Sequence, residues 1–464
     1  MNALADPTLS LLLPQAACAL GLVLVLLLGM RPGGRDGFAL ERWVAALAAA
    51  AGLLLVLRVP SGGETELFRA DGMSKAWQIL FHLGTLALFA VLRPRGERPL
   101  ALALAALLGM DTIASANHLF ALFLGLELTS LPTYLLVAGL RPGRRSLEAA
   151  LKYFFAGAAA SALFLMGLAL QYAATGSFSF AGGLPGAASG LALALMGSAA
   201  LFKIGAFPFH FWLPDVYEAA EPELTAWMST AVKAAGVLIL LRILGGHADF
   251  DLPDLSRWLP AVAVATMTFA NLIALRQSDV RRLLAYSSVS HVGYLTAAVW
   301  AWQTGGMPGD ALATVYFYLF AYLFMNTGAF LFLRLCGIRE LEELRGFGSR
   351  APLLAGVFAL MVFSLAALPP TTGFLAKFFV VWDLLKAGGT GLAVAVVVNS
   401  LVGAGYYLNL IRLMTLEPAG PRTAPAPGRT APAAALVLLA CAAFTAGFGL
   451  VPGLREWLAA FLIL

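Results

Sequence analysis

The chain has 464 residues, of which 60% are hydrophobic and only 12% charged, and its formal net charge is +5. A water-soluble domain carries about 25% charged residues, so composition excludes an ordinary soluble fold and points to a polytopic membrane protein. The apolar runs are too long and unbroken for a β-barrel, and the basic residues fall in short loops, where they set topology rather than bind nucleic acid.

In chain order, the sequence predicts an all-α polytopic membrane protein of about fourteen transmembrane helices. They run near 8–30, 38–58, 73–92, 98–116, 118–140, 148–173, 188–212, 224–245, 257–276, 283–302, 311–336, 351–387, 390–415 and 431–453. The first run, Leu9 to Met30, lacks the basic flank of a signal peptide and reads as a retained span. Residues 1–97 form an N-terminal three-helix segment, 98–245 a five-helix repeat (helices 4–8) and 257–415 a second (helices 9–13). Residues 416–430 are a Pro/Gly/Ala linker expected to be extended or mobile, and 431–464 hold helix 14 and a tail.

Five is an odd number, so the second repeat enters from the opposite side, as in inverted-repeat transporters. Helices 7 and 12 are predicted to be broken, at Lys203-Ile-Gly205-Ala-Phe-Pro208 and at Pro369-Pro370-Thr-Thr-Gly373-Phe-Leu-Ala-Lys377. Lysine precedes proline in one half and follows it in the other. Of the 30 Lys and Arg residues, 20 lie in loops after odd-numbered spans and 7 on the opposite side. That bias predicts odd-numbered loops in the cytoplasm and both termini outside.

The remaining three basic residues, Lys203, Lys233 and Lys377, lie inside apolar spans together with Glu127. A charge at mid-depth costs roughly 2.5–3.5 kcal/mol on insertion scales, so four independent ones would cost about 10 kcal/mol. Residues kept at that cost are functional candidates, and Glu127 reads as the only carboxylate deep enough to tune a lysine. Burial disfavours a charged amine and a nearby carboxylate restores it, so Glu127 and Lys203 form a candidate switchable proton site. Lys377 has Asp383 six residues on, which leaves open a paired position nearer a helix end.

His291 and His210 are candidate proton relays, since histidine titrates near neutrality. Lys152 is either a second partner for Glu127 or a positive-inside anchor. His82 and His118 read as structural, and His247 carries no signal. No two histidines have ligand spacing, so no bound metal is predicted. Cys18, Cys336 and Cys441 are scattered, without a CxxC, and read as buried small hydrophobes. No P-loop or dinucleotide fingerprint is present, so no nucleotide site is expected on this chain.

Four stretches carry a specific resemblance: Ala149-Ala-Leu-Lys-Tyr-Phe154, Phe202-Lys-Ile-Gly-Ala-Phe-Pro-Phe-His-Phe-Trp-Leu-Pro-Asp-Val-Tyr217, Arg281-Arg-Leu-Leu-Ala-Tyr-Ser-Ser-Val-Ser-His-Val-Gly-Tyr294 and Leu368-Pro-Pro-Thr-Thr-Gly-Phe-Leu-Ala-Lys-Phe378. Together they resemble the antiporter-like membrane subunits of respiratory complex I, the N-type above all, over roughly residues 70–415. The resemblance implies that Glu127, Lys203, Lys233 and Lys377 are the proton-translocating residues of helices 5, 7, 8 and 12. It implies an inner (cytoplasmic) membrane location and partner subunits that include paralogous antiporter-like chains. NADH, FMN, iron–sulfur clusters and quinone would belong to those partners, with no cofactor on this chain. Where the family has a Gly-Ala-Pro-x-Pro-like turn, this chain reads Glu218-Ala-Ala-Glu-Pro-Glu-Leu224. The alternative is a subunit of a multi-subunit cation/proton antiporter. A stand-alone solute transporter would need a polar substrate cluster outside the lysine axis, and a scaffold would tolerate loss of Lys203.

Overall fold

The computed structural model describes residues 10–31, 39–93, 96–141, 143–180, 187–245, 253–306, 309–428, 431–447, 451 and 453–463. His247, Arg35, Arg95 and Arg429 lie outside the described residues. Helices occupy the predicted apolar segments: α1 Leu13–Gly29, α2 Ala39–Arg58, α3 Gly72–Val91, α4 Arg98–Ser115, α5 Leu119–Leu140, α6 Arg144–Thr175 and α7 Ala187–Ile204. Between α2 and α3 a short antiparallel ribbon pairs β1 (Gly63–Glu64) with β2 (Arg69–Ala70). The chain continues through α8 Leu213–Ala219, α9 Pro222–Trp227, a π-helical turn Met228–Val232 and α10 Lys233–Gly245. Then come α11 Pro253–Ala274, α12 Val280–Thr304, α13 Gly309–Cys336, α14 Leu341–Leu344 and α15 Phe347–Arg350. The last are α16 Pro352–Leu365, α17 Thr372–Lys386, α18 Thr390–Thr415, α19 Pro432–Gly447 and α20 Leu454–Ile463.

Among the described residues, seven helices are long and apolar enough to cross a membrane. Burial separates them by role. Pro222–Gly245 is wholly buried, whereas Ala39–Arg58 is 22% buried and turns Trp43, Leu47, Leu54 and Leu57 outward. An apolar helix exposed in this way suits lipid, while the buried one forms core.

Both predicted helix breaks are present. The first falls four residues before Pro208: α7 stops at Ile204 because Gly205 takes φ +78°, a left-handed conformation that ends a helix. The chain then turns through Phe207–Trp212 before α8. The second separates α16 from α17 across Pro369–Pro370.

The chain forms two compact units. One comprises Met1–Ile204, Ala231–Leu255 and Ala460–Leu464, and the other Gly205–Thr230 and Ser256–Ala459. Residues 205–230, placed by sequence within the first five-helix repeat, therefore belong to the second unit.

Loop contacts within each unit sort by parity. In the second unit, Arg282 bonds Asp215 and Glu218 at 2.9 Å, and Arg334 lies 2.9 Å from Glu223. The Val280 N–H donates to the Arg339 carbonyl (2.6 Å), and Arg345 pairs with Glu417 at 3.3 Å. All join loops that follow predicted odd-numbered spans. The acidic loop 215–223 is thus an anchor for arginines of its own end. In the first unit, Asn117 donates to Glu64 (2.9 Å) and to the Thr65 carbonyl (3.0 Å), which joins loops after even-numbered spans.

Two expectations change. Arg242, counted with the loops, is buried at 2% exposure in α10 and donates to both Asp71 oxygens (2.7 and 3.0 Å), to Ser74 Oγ and to the Ala114 carbonyl. Asp71 in turn caps α3 by accepting from the Ser74 N–H at 2.6 Å. The linker is extended but held over residues 417–428. Thr423 donates to the Arg345 carbonyl (2.6 Å), and the Ala424 N–H donates to the Glu343 carbonyl (2.9 Å).

Candidate functional site

In the first unit, Glu127 sits mid-way along α5, half-buried, and accepts a short hydrogen bond from Ser161 of α6. Ser130 lies one turn on, on the same helix face. It donates to the Leu126 carbonyl (2.6 Å) and accepts from Lys203 Nζ at 2.8 Å. Lys203 is 4% exposed, and its ammonium also lies 5.9 Å from the centroid of the Tyr153 ring. The α5 face therefore presents Glu127 and the Lys203 anchor within one turn.

Lys203 also stands in the last turn of α7, where unpaired carbonyls favour a cation. Its stem passes over Gly236 of α10: a Cβ on Gly236 would lie 2.7 Å from Ile204 Cγ2 and 3.1 Å from Lys203 Cγ. Gly236 is three residues after buried Lys233, so the same approach brings Lys203 to the helix face that carries Lys233. Lys233 opens α10 after the π-helical turn, whose Ser229 and Thr230 hydroxyls donate back to the Ala226 carbonyl (3.0 and 2.7 Å). Such π turns recur at functional positions.

In the second unit, His291 is buried and held at both ring nitrogens, with Tyr318 OH 2.7 Å from Nδ1 and Tyr407 OH 3.2 Å from Nε2. Ser287 forms a short hydrogen bond with the same Tyr407 hydroxyl. One turn along α12, the Tyr294 ring lies 5.8 Å from His291, and Lys377 Nζ sits 4.4 Å from the same ring's centroid. Tyr294 thus joins the histidine and lysine that sequence singled out separately. Its hydroxyl accepts from Asn271 (3.3 Å), which also donates to the Asn399 carbonyl (2.9 Å) and accepts from Tyr406 (3.1 Å).

Lys377 is 6% exposed and donates to the Leu365 carbonyl at 3.3 Å. Asp383 instead binds Arg455, so Lys377 is not the end-of-helix partner of that acid. Lys152 is exposed and pairs with Glu148 at 2.9 Å. His210 stacks on Phe207 (5.6 Å) and meets Phe269 edge-on (4.7 Å), while its Nδ1 has no hydrogen-bond partner. His118 caps α5 as a structural residue, accepting from the Phe120 N–H.

Sequence reasoning missed Ser161, Gly236, Tyr318 and Tyr407. It also missed Asp111, a second carboxylate that is fully buried, in α4. The available signal was a polar residue inside an apolar run, which Asp111 and Tyr407 both satisfy.

The family described as NADH:quinone oxidoreductase/Mrp antiporter, TM matches residues 116–403. A relative from Rhizobium meliloti (strain 1021), NADH-quinone oxidoreductase subunit N 2, is 38% identical over 462 residues, covering 95% of this chain and 94% of its own. A chain of respiratory complex I from Thermus thermophilus with bound Aureothin superposes with TM-score 0.85 at 33% identity, covering 96% of this chain and 99% of that one. A chain of the Mrp complex from Dietzia sp. DQ12-45-1b shares the fold, with TM-score 0.79 at 24% identity, covering 100% and 96%. The chain is an integral multi-pass membrane protein, and it belongs to the NADH:quinone oxidoreductase/Mrp antiporter transmembrane family, among the subunit N proteins of complex I.

Proposed function

We propose that this chain is a membrane-arm subunit of a proton-pumping NADH:quinone oxidoreductase. It translocates protons through Glu127, Lys203, Lys233, His291 and Lys377, driven by redox chemistry in other subunits. The observation that carries this reading is Lys203: a buried ammonium held by Ser130 one turn from Glu127, beside the helix that bears Lys233. A lysine whose charge depends on a nearby carboxylate takes up and releases protons without a cofactor. His291 is the relay in this reading, which its hydrogen bonds to tyrosine hydroxyls at both nitrogens support. His210 and Lys152 take peripheral roles in packing and anchoring.

The proposal includes fourteen crossings, an inverted repeat, an inner-membrane location and both termini on the non-cytoplasmic side. Loop contacts that join ends of like parity support the alternation. NADH, FMN, iron–sulfur clusters and quinone are assigned to partner subunits, which include paralogous antiporter-like chains.

The test is Lys203→Ala in the intact complex, reconstituted in vesicles. Proton pumping should be lost while the complex still assembles, and unchanged pumping would refute the role. The second reading, a cation/proton antiporter subunit, draws on the shared family and the fold of the Dietzia chain. It predicts sodium-dependent proton movement without NADH oxidation.

A further inference from the structure

A second polar cluster lies in the helical core of the first unit. Cys18 of α1, His82 of α3 and Asp111 of α4 are all buried, and their ligand atoms lie within 4.8 Å of one another. His82 Nδ1 is 2.8 Å from the Ala49 carbonyl. A carbonyl only accepts, so Nδ1 carries the hydrogen and the neutral ring presents a lone pair at Nε2. That lone pair faces Asp111 Oδ2 at 3.1 Å, and Cys18 Sγ is 3.7 Å from the same oxygen. The Cys18 thiol can donate to that oxygen, but a lone pair at Nε2 set against the carboxylate needs a proton or a metal cation between them.

A single proton between Nε2 and Oδ2 leaves two polar atoms unexplained. Asp111 Oδ1 and Gln15 Oε1 are buried and have no hydrogen-bond partner. Gln15 is one turn from Cys18, and its Nε2 donates to Ser115 Oγ at 2.8 Å, one turn from Asp111. The orphaned amide oxygen therefore belongs to the same side of the bundle.

We propose that Cys18, His82 and Asp111 bind one divalent zinc ion, with Gln15 completing the site. Tetrahedral zinc with Zn–S of about 2.3 Å and Zn–N or Zn–O of about 2.0–2.2 Å sets its ligand atoms roughly 3.3–3.7 Å apart. The cluster shows 3.7 Å for Sγ–Oδ2 and 3.1 Å for Nε2–Oδ2, and the ion would part the second pair by a few tenths of an ångström. One thiolate and one carboxylate cancel the charge of Zn²⁺, so the loaded site is neutral and avoids the burial cost of a net charge. The Ala49 carbonyl supplies the outer hydrogen bond that orients a ligating imidazole. Gly52 gives the ring room, since a Cβ there would lie 2.4 Å from His82 Cε1. The ligands come from three helices far apart in sequence, which spacing between histidine pairs does not reveal. The ion would clamp α1, α3 and α4 together, and the site does not depend on the pumping proposal.

The test uses the intact purified membrane complex, prepared without chelator, and compares its zinc content with that of Cys18→Ser. One zinc per complex should be lost in C18S, whereas equal counts in two assembled complexes overturn the proposal. A full-length chain carrying C336A and C441A keeps Cys18 as its single thiol. Cobalt(II) added to it should give a thiolate-to-cobalt charge-transfer band that zinc abolishes. The absence of that band overturns the site even where C18S fails to assemble.

Discussion

Replacing Gly236 with alanine tests whether close approach of two helices positions Lys203. The new Cβ would stand 2.7 Å from Ile204 Cγ2, and 3.1 and 3.3 Å from Lys203 Cγ and Cβ. Carbon contacts settle at about 3.5–4.0 Å, so the closest pair must part by about 0.8 Å. Ile204 is β-branched and stiff, so the shift is taken up by the segment that carries Lys203. Overpacking of this kind costs about 1–3 kcal/mol, and alanine returns about 1 kcal/mol of helix propensity over glycine. The net loss is small enough for the complex to assemble. Positioned chemistry is less forgiving, because a misplacement of about 1 Å can cost about 100-fold. G236A should therefore lower proton pumping by about 10–100-fold. Dye-monitored acidification of proteoliposomes, taken with NADH oxidation and a native gel for assembly, reads all three quantities. Wild-type pumping by an assembled G236A complex would refute the argument, since the Lys203 stem would then be free to move without consequence.

Tyr294→Leu should weaken pumping by removing the ring beneath Lys377, an interaction worth about 0.5–2 kcal/mol. Tyr294→Phe keeps that ring and loses only the hydroxyl's contacts with Asn271, Ser290 and Ser400, so it should retain most activity in the same vesicle assay. Arg455→Ala leaves Asp383, 5% exposed, as an unpaired charge at a cost of about 3–5 kcal/mol, and should lower the thermal inactivation midpoint. Asp383→Asn added to R455A should recover much of that loss. Burial pushes the Asp71 carboxyl up, but the Arg242 guanidinium, with Arg69 and Ser74, outweighs it and holds the group below the usual carboxylate range. The unfolded chain then binds the proton more tightly. The stabilisation is whole above about pH 4, the ordinary value, and is lost as pH falls through the folded value. Thermal inactivation of wild type should steepen with acid below about pH 4, and Asp71→Asn should flatten that dependence.

The lysines were legible because lipid makes charge conspicuous. Lys203, Lys233 and Lys377 interrupt apolar runs, and the helix breaks beside two of them follow from proline chemistry and a glycine. Their partners were not legible in the same way. Ser130 and Tyr294 stand in readable positions, but that one accepts from Lys203 and the other lies under Lys377 is tertiary information. Gly236 looks like any helix glycine until Ile204 and Lys203 are placed against it. Arg242 shows how a linear charge count errs. Its place near a helix end reads as a loop anchor, yet the fold buries it to hold Asp71 and cap α3. His82 read as structural and Asp111 was missed, and only the folding of α3 against α4 makes them a pair.

The reversed order of lysine and proline in the two halves has a physical account in the helix ends. Lys203 precedes its break, and its backbone lies in the last turn of α7, at the carbonyl pole. Lys377 follows its break and lies near the start of α17, where exposed N–H groups repel a cation. Its side chain does not stay there. It reaches back across the break and donates to the carbonyl of Leu365, the last residue of α16. Lys377 thus returns to the carbonyl pole of the half-helix that enters its break, whereas Lys203 starts at such a pole and donates outward to Ser130 of α5. The difference left between the halves lies in the second partner. Lys203 has Glu127 one turn from its anchor, whereas Lys377 rests on the neutral ring of Tyr294. A carboxylate near the anchor acts on the charge of Lys203, while a neutral ring does not do so for Lys377. Within the proposed proton route, Lys203 is therefore the lysine that a carboxylate can modulate, and Lys377 the one held by a neutral ring.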